Sequence, residues 1–129
     1  SARRADTVER ALALLSERNV GALLVLDEMG DLIGVFSERD FARHALEHKA
    51  HIFELRVETF MSRRLRSATE EMPIETCMAL MTKERVRHVP VYRHGSVAGV
   101  VSIGDVVKAM VHDKEIVIES LEHYISSSL

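Results

Sequence analysis

The chain has 129 residues, with 17 Lys+Arg against 20 Asp+Glu and a formal net charge of −3, the size of one ordinary domain or of two very small lobes sharing a core. Hydrophobic residues make up 47% and charged residues 29%, which excludes the disordered class, and a pI near 6.2 argues against a surface that holds nucleic acid through counterion release. The longest apolar run, residues 22–26, is far short of the roughly 18 residues a membrane helix needs; the single cysteine, Cys77, cannot close an internal disulfide, and no secretory signal pattern opens the chain, so a cytoplasmic protein is expected.

In chain order, Val8, Ala11, Leu12 and Leu15 fall at i, i+3, i+4 and i+7, the spacing of a helix with one buried face. Val20 to Leu26 follows as a buried strand. The turn Asp27-Glu28-Met29-Gly30 leads to a second apolar run, Leu32 to Phe36, as in a hairpin. Ser37 then begins a helix expected to bury Phe41, Ala45 and Leu46. Residues 51–66 read as a linker whose end, with Arg63, Arg64 and Arg66, is the most basic stretch.

After the linker the pattern starts again. Ile74, Cys77, Met78 and Met81 repeat the helical stripe at an offset of 66 residues, and Val86 to Tyr92 repeats the strand. Arg93-His94-Gly95 is a turn one residue shorter, Val97 to Val101 is the second strand, and Ser102 starts a helix expected to bury Val106, Val107 and Met110. The segment Gly34-Val35-Phe36-Ser37-Glu38-Arg39-Asp40 recurs as Gly99-Val100-Val101-Ser102-Ile103-Gly104-Asp105, now at an offset of 65. The change of offset is a single deletion in a hairpin tip. From Asp113 a last helix carries Val117, Leu121, Tyr124 and Ile125, with no obvious partner inside either repeat.

The reading is therefore an α/β chain of two tandem repeats, residues 1–50 and 67–112, each helix-strand-strand-helix, with a C-terminal helix over 113–129. A half of this size is marginal by itself, burying only about 60% of its unfolded surface. Two copies packed sheet to sheet as a pseudo-twofold pair, with a cleft between them, would solve this.

A lone Ser-x-x-Asp after a strand is a capping box. Three features point further: the unit is duplicated, a Gly precedes it in the strand, and each helix start offers free N–H groups and a positive dipole end to an anion. A phosphate suits the serines. A carboxylate one turn on would repel that phosphate, so Asp40 and Asp105 suit a neutral diol such as a ribose. Phosphate and ribose together describe a nucleotide.

These segments, with Asn19 to Asp27 and Arg85 to Tyr92 ahead of them and Val57 to Ser62 in the linker, resemble a tandem of cystathionine-β-synthase (CBS) domains, a Bateman module, over residues 1 to about 112. The resemblance implies a non-enzymatic sensor whose cleft takes an adenosyl ligand: AMP, ADP, ATP, S-adenosylmethionine or NAD(H). It implies that Ser37 and Ser102 hold phosphate, that Asp40 and Asp105 hold the ribose, and that Ala22, Leu23, Val89 and Pro90 flank adenine. Arg87 or His88 would lie near phosphate, with Ile103 beside Ser102, Thr69 and Met72 closing over the base, and Arg39 reaching a second phosphate. The first repeat departs from the pattern in having Leu24 where the second has Pro90, and its opening strand reads as clipped before Ser1.

Other chemistry is weaker. His44 and His48, one turn apart with His51 nearby, could chelate a metal; no further ligand pattern completes a site, and the segment reads as a solvated helix end. Cys77 lies on a buried stripe, where a thiol is inert. No catalytic set and no Gly-rich phosphate loop stands out, so no enzyme is expected. The three arginines lack an aromatic platform for nucleic acid and read as a solvated linker. The unpaired apolar face of the last helix predicts a homodimer, and an unknown effector protein would read the state. The competing reading is a structural or protein-interaction module with no physiological nucleotide.

Overall fold

In the computed structural model, which describes residues 1–63, 65–112, Leu121 and Ile125, the predicted stripe Val8, Ala11 and Leu15 is buried and Leu14 joins it, while Leu12 is half-buried. This helix, α1 (Val8–Arg18), starts at Thr7, whose Oγ1 accepts from the Arg10 N–H at 3.1 Å. It stops at Asn19, which takes the left-handed conformation (φ 52°) that ends many helices and that Asn tolerates. Strand β1 (Ala2–Arg3) runs parallel to β2 (Ala22–Leu26), and β3 (Leu32–Ser37) runs antiparallel to β2 on its other side. Helix α2 (Glu38–His48) follows directly.

The second repeat builds the same order: β4 (Ala68–Thr69), α3 (Ile74–Glu84), β5 (His88–Arg93), β6 (Ser96–Ser102) and α4 (Ile103–His112), with β4 parallel and β6 antiparallel to β5. The two opening strands are equal in length and pair with equivalent residues, Ala2 with Val25 and Ala68 with Val91. The expectation of a clipped opening strand is thereby corrected. The hairpin tips differ as expected, with five residues between the paired Leu26 and Leu32 and four between Tyr92 and Val97. In the shorter tip His94 and Gly95 both have positive φ, 51° and 79°, the requirement of a type I′ turn.

The chain divides into two compact units, the first built on Ser1–Leu65 and the second beginning at Arg66. In unit 1, Val8, Leu15, Leu23, Val25 and Phe36 form the core, joined by Ile52, Val57, Phe60 and Met61 from beyond α2. The segment 55–62 straps onto this unit: the Val57 N–H donates to the Asp6 carbonyl at 2.7 Å, and Val35 and Ser62 exchange both backbone hydrogen bonds at 3.0 and 2.8 Å. Arg4 and Glu58 add an ion pair at 2.8 Å, and the hydrogen bond from Arg4 holds the Glu58 carboxyl below its usual range. In unit 2, Ile74, Cys77, Met81, Val89, Val91, Val101, Val106 and Ala109 form the core, with Met78 partly buried against it.

Several burial expectations are corrected. Leu46 is 87% exposed, and Val107 and Met110 are each 45% exposed. On α4 the buried residues are Val106 and Ala109 instead; this helix carries apolar residues on more than one face, so periodicity does not select the covered one. Leu121, expected on an unpartnered face, is fully buried in the core of unit 2, and Ile125 packs partly against it. Val117, Tyr124 and the rest of the proposed C-terminal helix lie outside the described residues. No helix among the described residues is long and apolar enough to cross a membrane.

Candidate strand-to-helix binding site

Each unit places the end of its last strand beside the start of its middle strand. In unit 1, Ser37 pairs with Ala22, and in unit 2, Ser102 pairs with His88. The first amide of each following helix is tied to that neighbouring strand: Glu38 N–H donates to the Gly21 carbonyl at 3.1 Å and Ile103 N–H to the Arg87 carbonyl at 2.8 Å. The hairpin and the helix start are thus one rigid junction, built twice.

Both serines cap their helices. Ser37 Oγ accepts from the Asp40 N–H at 3.2 Å, while the Ser37 N–H donates to Asp40 Oδ2 at 2.8 Å. Ser102 Oγ accepts from the Asp105 N–H at 3.1 Å, and the Ser102 N–H donates to Asp105 Oδ2 at 3.1 Å. The plain capping-box reading is therefore realised in both halves. It also corrects the expectation of a fully open amide cluster, because the first and third amides of each helix are already bonded. Those of Arg39 and Gly104 remain without a partner among the described residues. Each aspartate likewise uses Oδ2 only, leaving Oδ1 able to accept from a further donor.

The other sequence-proposed residues fall in three places. Ala22 and Leu23 are buried in β2, and Val89 and Pro90 are buried in β5. Ser37, Asp40, His88, Ser102, Ile103 and Asp105 are half-buried at the junctions, whereas Arg39 and Arg87 are exposed there. Thr69 is exposed at the end of β4, and Met72, whose N–H donates to the Thr69 carbonyl at 3.0 Å, packs partly against the unit 2 core. Leu24 and Pro90 occupy equivalent rungs, opposite Val35 and Val100.

Two backbone contacts escaped the sequence reading, which named Arg87 for its side chain only and did not name Gly21. Gly21 and Arg87 act through backbone carbonyls, which no side-chain motif reports, although aligning the repeats residue by residue would have paired them. Beside the first junction a concavity of about 440 Å³ is lined by Leu12, Val20, Gly21 and Glu38 among others.

The histidines do other work than the expected solvated end. The rings of His44 and His48 lie 5.0 and 5.1 Å from that of Phe60, holding the strap against α2. Among the described residues no cluster of three metal-ligating side chains forms. Arg66, read as a solvated linker residue, pairs with Glu84 at 3.2 Å; Arg64 lies outside the described residues.

Comparison with known proteins adds context. A family model described as CBS domain matches residues 1–47 and again residues 57–112. The mitochondrial CBS domain-containing protein CBSX3 of Arabidopsis thaliana is 36% identical over 124 residues, covering 93% of this chain and 60% of that one, so the chain spans about 60% of that relative's length. A solved CBS-domain protein from Burkholderia ambifaria MC40-6 is 36% identical with a TM-score of 0.80, covering 92% of this chain and 87% of the other. CBSX2, solved in complex with AMP, is 26% identical with a TM-score of 0.70, covering 88% of each chain.

Proposed function

The chain belongs to the CBS-domain family, and from that premise we propose that it is a non-enzymatic regulatory module that binds an adenosyl ligand at its strand-to-helix junctions. Ser37 and Ser102 would hold phosphate, Asp40 and Asp105 the ribose through their unpartnered Oδ1, and Ala22, Leu23, Val89 and Pro90 the adenine. Arg87 or His88 at one junction would lie near phosphate and Arg39 at the other would reach a second phosphate, with Ile103, Thr69 and Met72 around the base. The ligand is AMP, ATP or NAD(H), and occupancy is passed on through packing, a homodimer and an effector protein. The single buried thiol fits a reducing cytoplasm.

One observation supports this reading most: the same junction is built twice, with one helix amide and one carboxylate oxygen left over each time, in a family that includes a structure with AMP bound. The competing reading, a structural or interaction module, is favoured by the completeness of both capping boxes without a ligand.

A thermal-shift screen with AMP, ATP, NADH and S-adenosylmethionine separates the two, because a ligand selective for the native state raises Tm. At a hundredfold excess over Kd the gain is about 2.7 kcal/mol, several degrees for a domain of this size. No shift with any of the four supports the structural module.

A further inference from the structure

Unit 1 covers the outer edge of β3 with its strap: the Val35 N–H and carbonyl face away from β2 and exchange hydrogen bonds with Ser62 at 3.0 and 2.8 Å. The same edge exists in unit 2. In an antiparallel pair, rungs that exchange hydrogen bonds alternate with rungs that do not. The Ile103 N–H bonds the Arg87 carbonyl, and counting back through the pairs His88–Ser102, Val89–Val101 and Pro90–Val100 makes the last of these a rung without hydrogen bonds. The missing N–H of Pro90 fits that parity. The Val100 N–H and carbonyl therefore point away from β5, toward the outer edge of β6. Val100 is nevertheless only 2% exposed, and neither group has a partner among the described residues. Buried backbone groups are almost always paired, so something covers this edge.

The chain carries a segment that matches the strap. Val57-Glu58-Thr59-Phe60-Met61-Ser62 recurs as Leu121-Glu122-His123-Tyr124-Ile125-Ser126, with Glu and Ser identical and the apolar and aromatic positions kept. Its two described members behave as their counterparts do. Leu121 is fully buried in the core of unit 2, as Val57 is in that of unit 1, and each stands in a 3-10 turn. Ile125 packs partly against the unit 2 core, where Met61 belongs to that of unit 1. We propose that residues 121–126 are a second strap, and that the Ser126 backbone pairs with Val100 as Ser62 pairs with Val35. The Gly-Val step of each recurring segment is then the strap's seat: Gly34 leaves room for Met61, and Gly99, also buried, does so for Ile125. Unit 2 accordingly extends to residue 126 rather than 112, and its strap denies β6 to other chains, for which a bare edge is a template. This holds whether or not the junctions take a nucleotide.

Nuclear magnetic resonance on the isotope-labelled full chain tests it. The expected result is a nuclear Overhauser contact between the amide protons of Val100 and Ser126, matching one between Val35 and Ser62, and a Val100 amide that exchanges slowly with solvent. Ser126→Pro removes the N–H that would donate to the Val100 carbonyl; it should speed exchange at Val100 about tenfold and leave Val35 unchanged. A Val100 amide in contact with any segment other than 121–126 overturns the proposal, as does fast exchange there in the unmodified chain, or exchange that Ser126→Pro leaves unaltered. A contact found only between labelled and unlabelled chains in a mixed sample also overturns it, assigning the edge to a second copy.

Discussion

Gly34 has less room than a side chain needs. A Cβ added there would lie 2.5 Å from Met61 Sδ, 2.8 Å from Met61 Cγ and 3.0 Å from the Ser62 carbonyl oxygen. Met61 is buried, and the Ser62 carbonyl is pinned by the Val35 N–H, so neither retreats freely. Gly34→Ala is expected to cost about 1–3 kcal/mol, the usual penalty of overpacking, read as a lower urea midpoint with an unchanged slope. The glycine in the recurring segment therefore has a packing reason, close approach of the strap. Cys77 gives a second residue-scale expectation. It is fully buried, and burial pushes its thiol up to about 11 from 9.0. Between those values the unfolded chain loses a proton that the native chain keeps, so this contribution to stability is complete below pH 9 and is lost as pH rises toward 11. Cys77→Ala should flatten the fall in stability over that window, and alkylation of the native thiol at pH 8 should follow global unfolding rather than precede it.

At the scale of elements, the ends of α1 and α3 are the same turn made with different residues. Asn19 and Arg85 both occupy the left-handed region, at φ 52° and 54°. Asn tolerates that conformation, whereas a long side chain carries a Cβ penalty that glycine does not. Arg85→Gly should stabilise by about 0.5–1 kcal/mol, glycine's larger unfolded-state entropy offsetting part of the relief, while Asn19→Gly should change the melting temperature little. A lower melting temperature for Arg85→Gly would contradict this account. Equivalences of this kind made the fold legible: the helical stripes, the paired apolar runs and the Ser-x-x-Asp starts recur at a nearly fixed offset, and a repeated pattern is hard to produce by chance. The strap was not legible. Val57, Phe60 and Met61 are spaced as on a helix and do form a short 3-10 turn over Val57–Thr59, but its anchoring to the sheet edge through Ser62 and Val35 is a backbone contact that spacing does not report. The two capped junctions were legible in their Ser and Asp side chains and hidden in their amides, because which N–H groups a junction has already spent depends on backbone closeness between Gly21 and Glu38, or Arg87 and Ile103, that no spacing rule encodes.

At the scale of the molecule, each unit assembles its own core, so what remains apolar on the outside must be explained by something other than the unit's own folding. The homodimer expected from the sequence was motivated by Val117, Leu121 and Ile125; Leu121 is buried in unit 2 and Ile125 packs partly against its core, while Val117 lies outside the described residues. The motive moves to α4, where Val107 and Met110 are 45% exposed and Val111 is 64% exposed. They lie at i, i+3 and i+4, so they share one helix face, and a contiguous exposed apolar face of this sort marks an interaction surface more often than scattered single residues do. A second copy is the simplest partner of matching chemistry, since a twofold interface sets the same face against itself. Light scattering should therefore give a mass of two chains. Val107→Glu with Met110→Glu should give one chain with unchanged far-ultraviolet dichroism, because Val106 and Ala109, which hold α4 to the core, are untouched. A one-chain mass for the unmodified protein, or a two-chain mass that survives both substitutions, would move the assembly surface elsewhere or remove it.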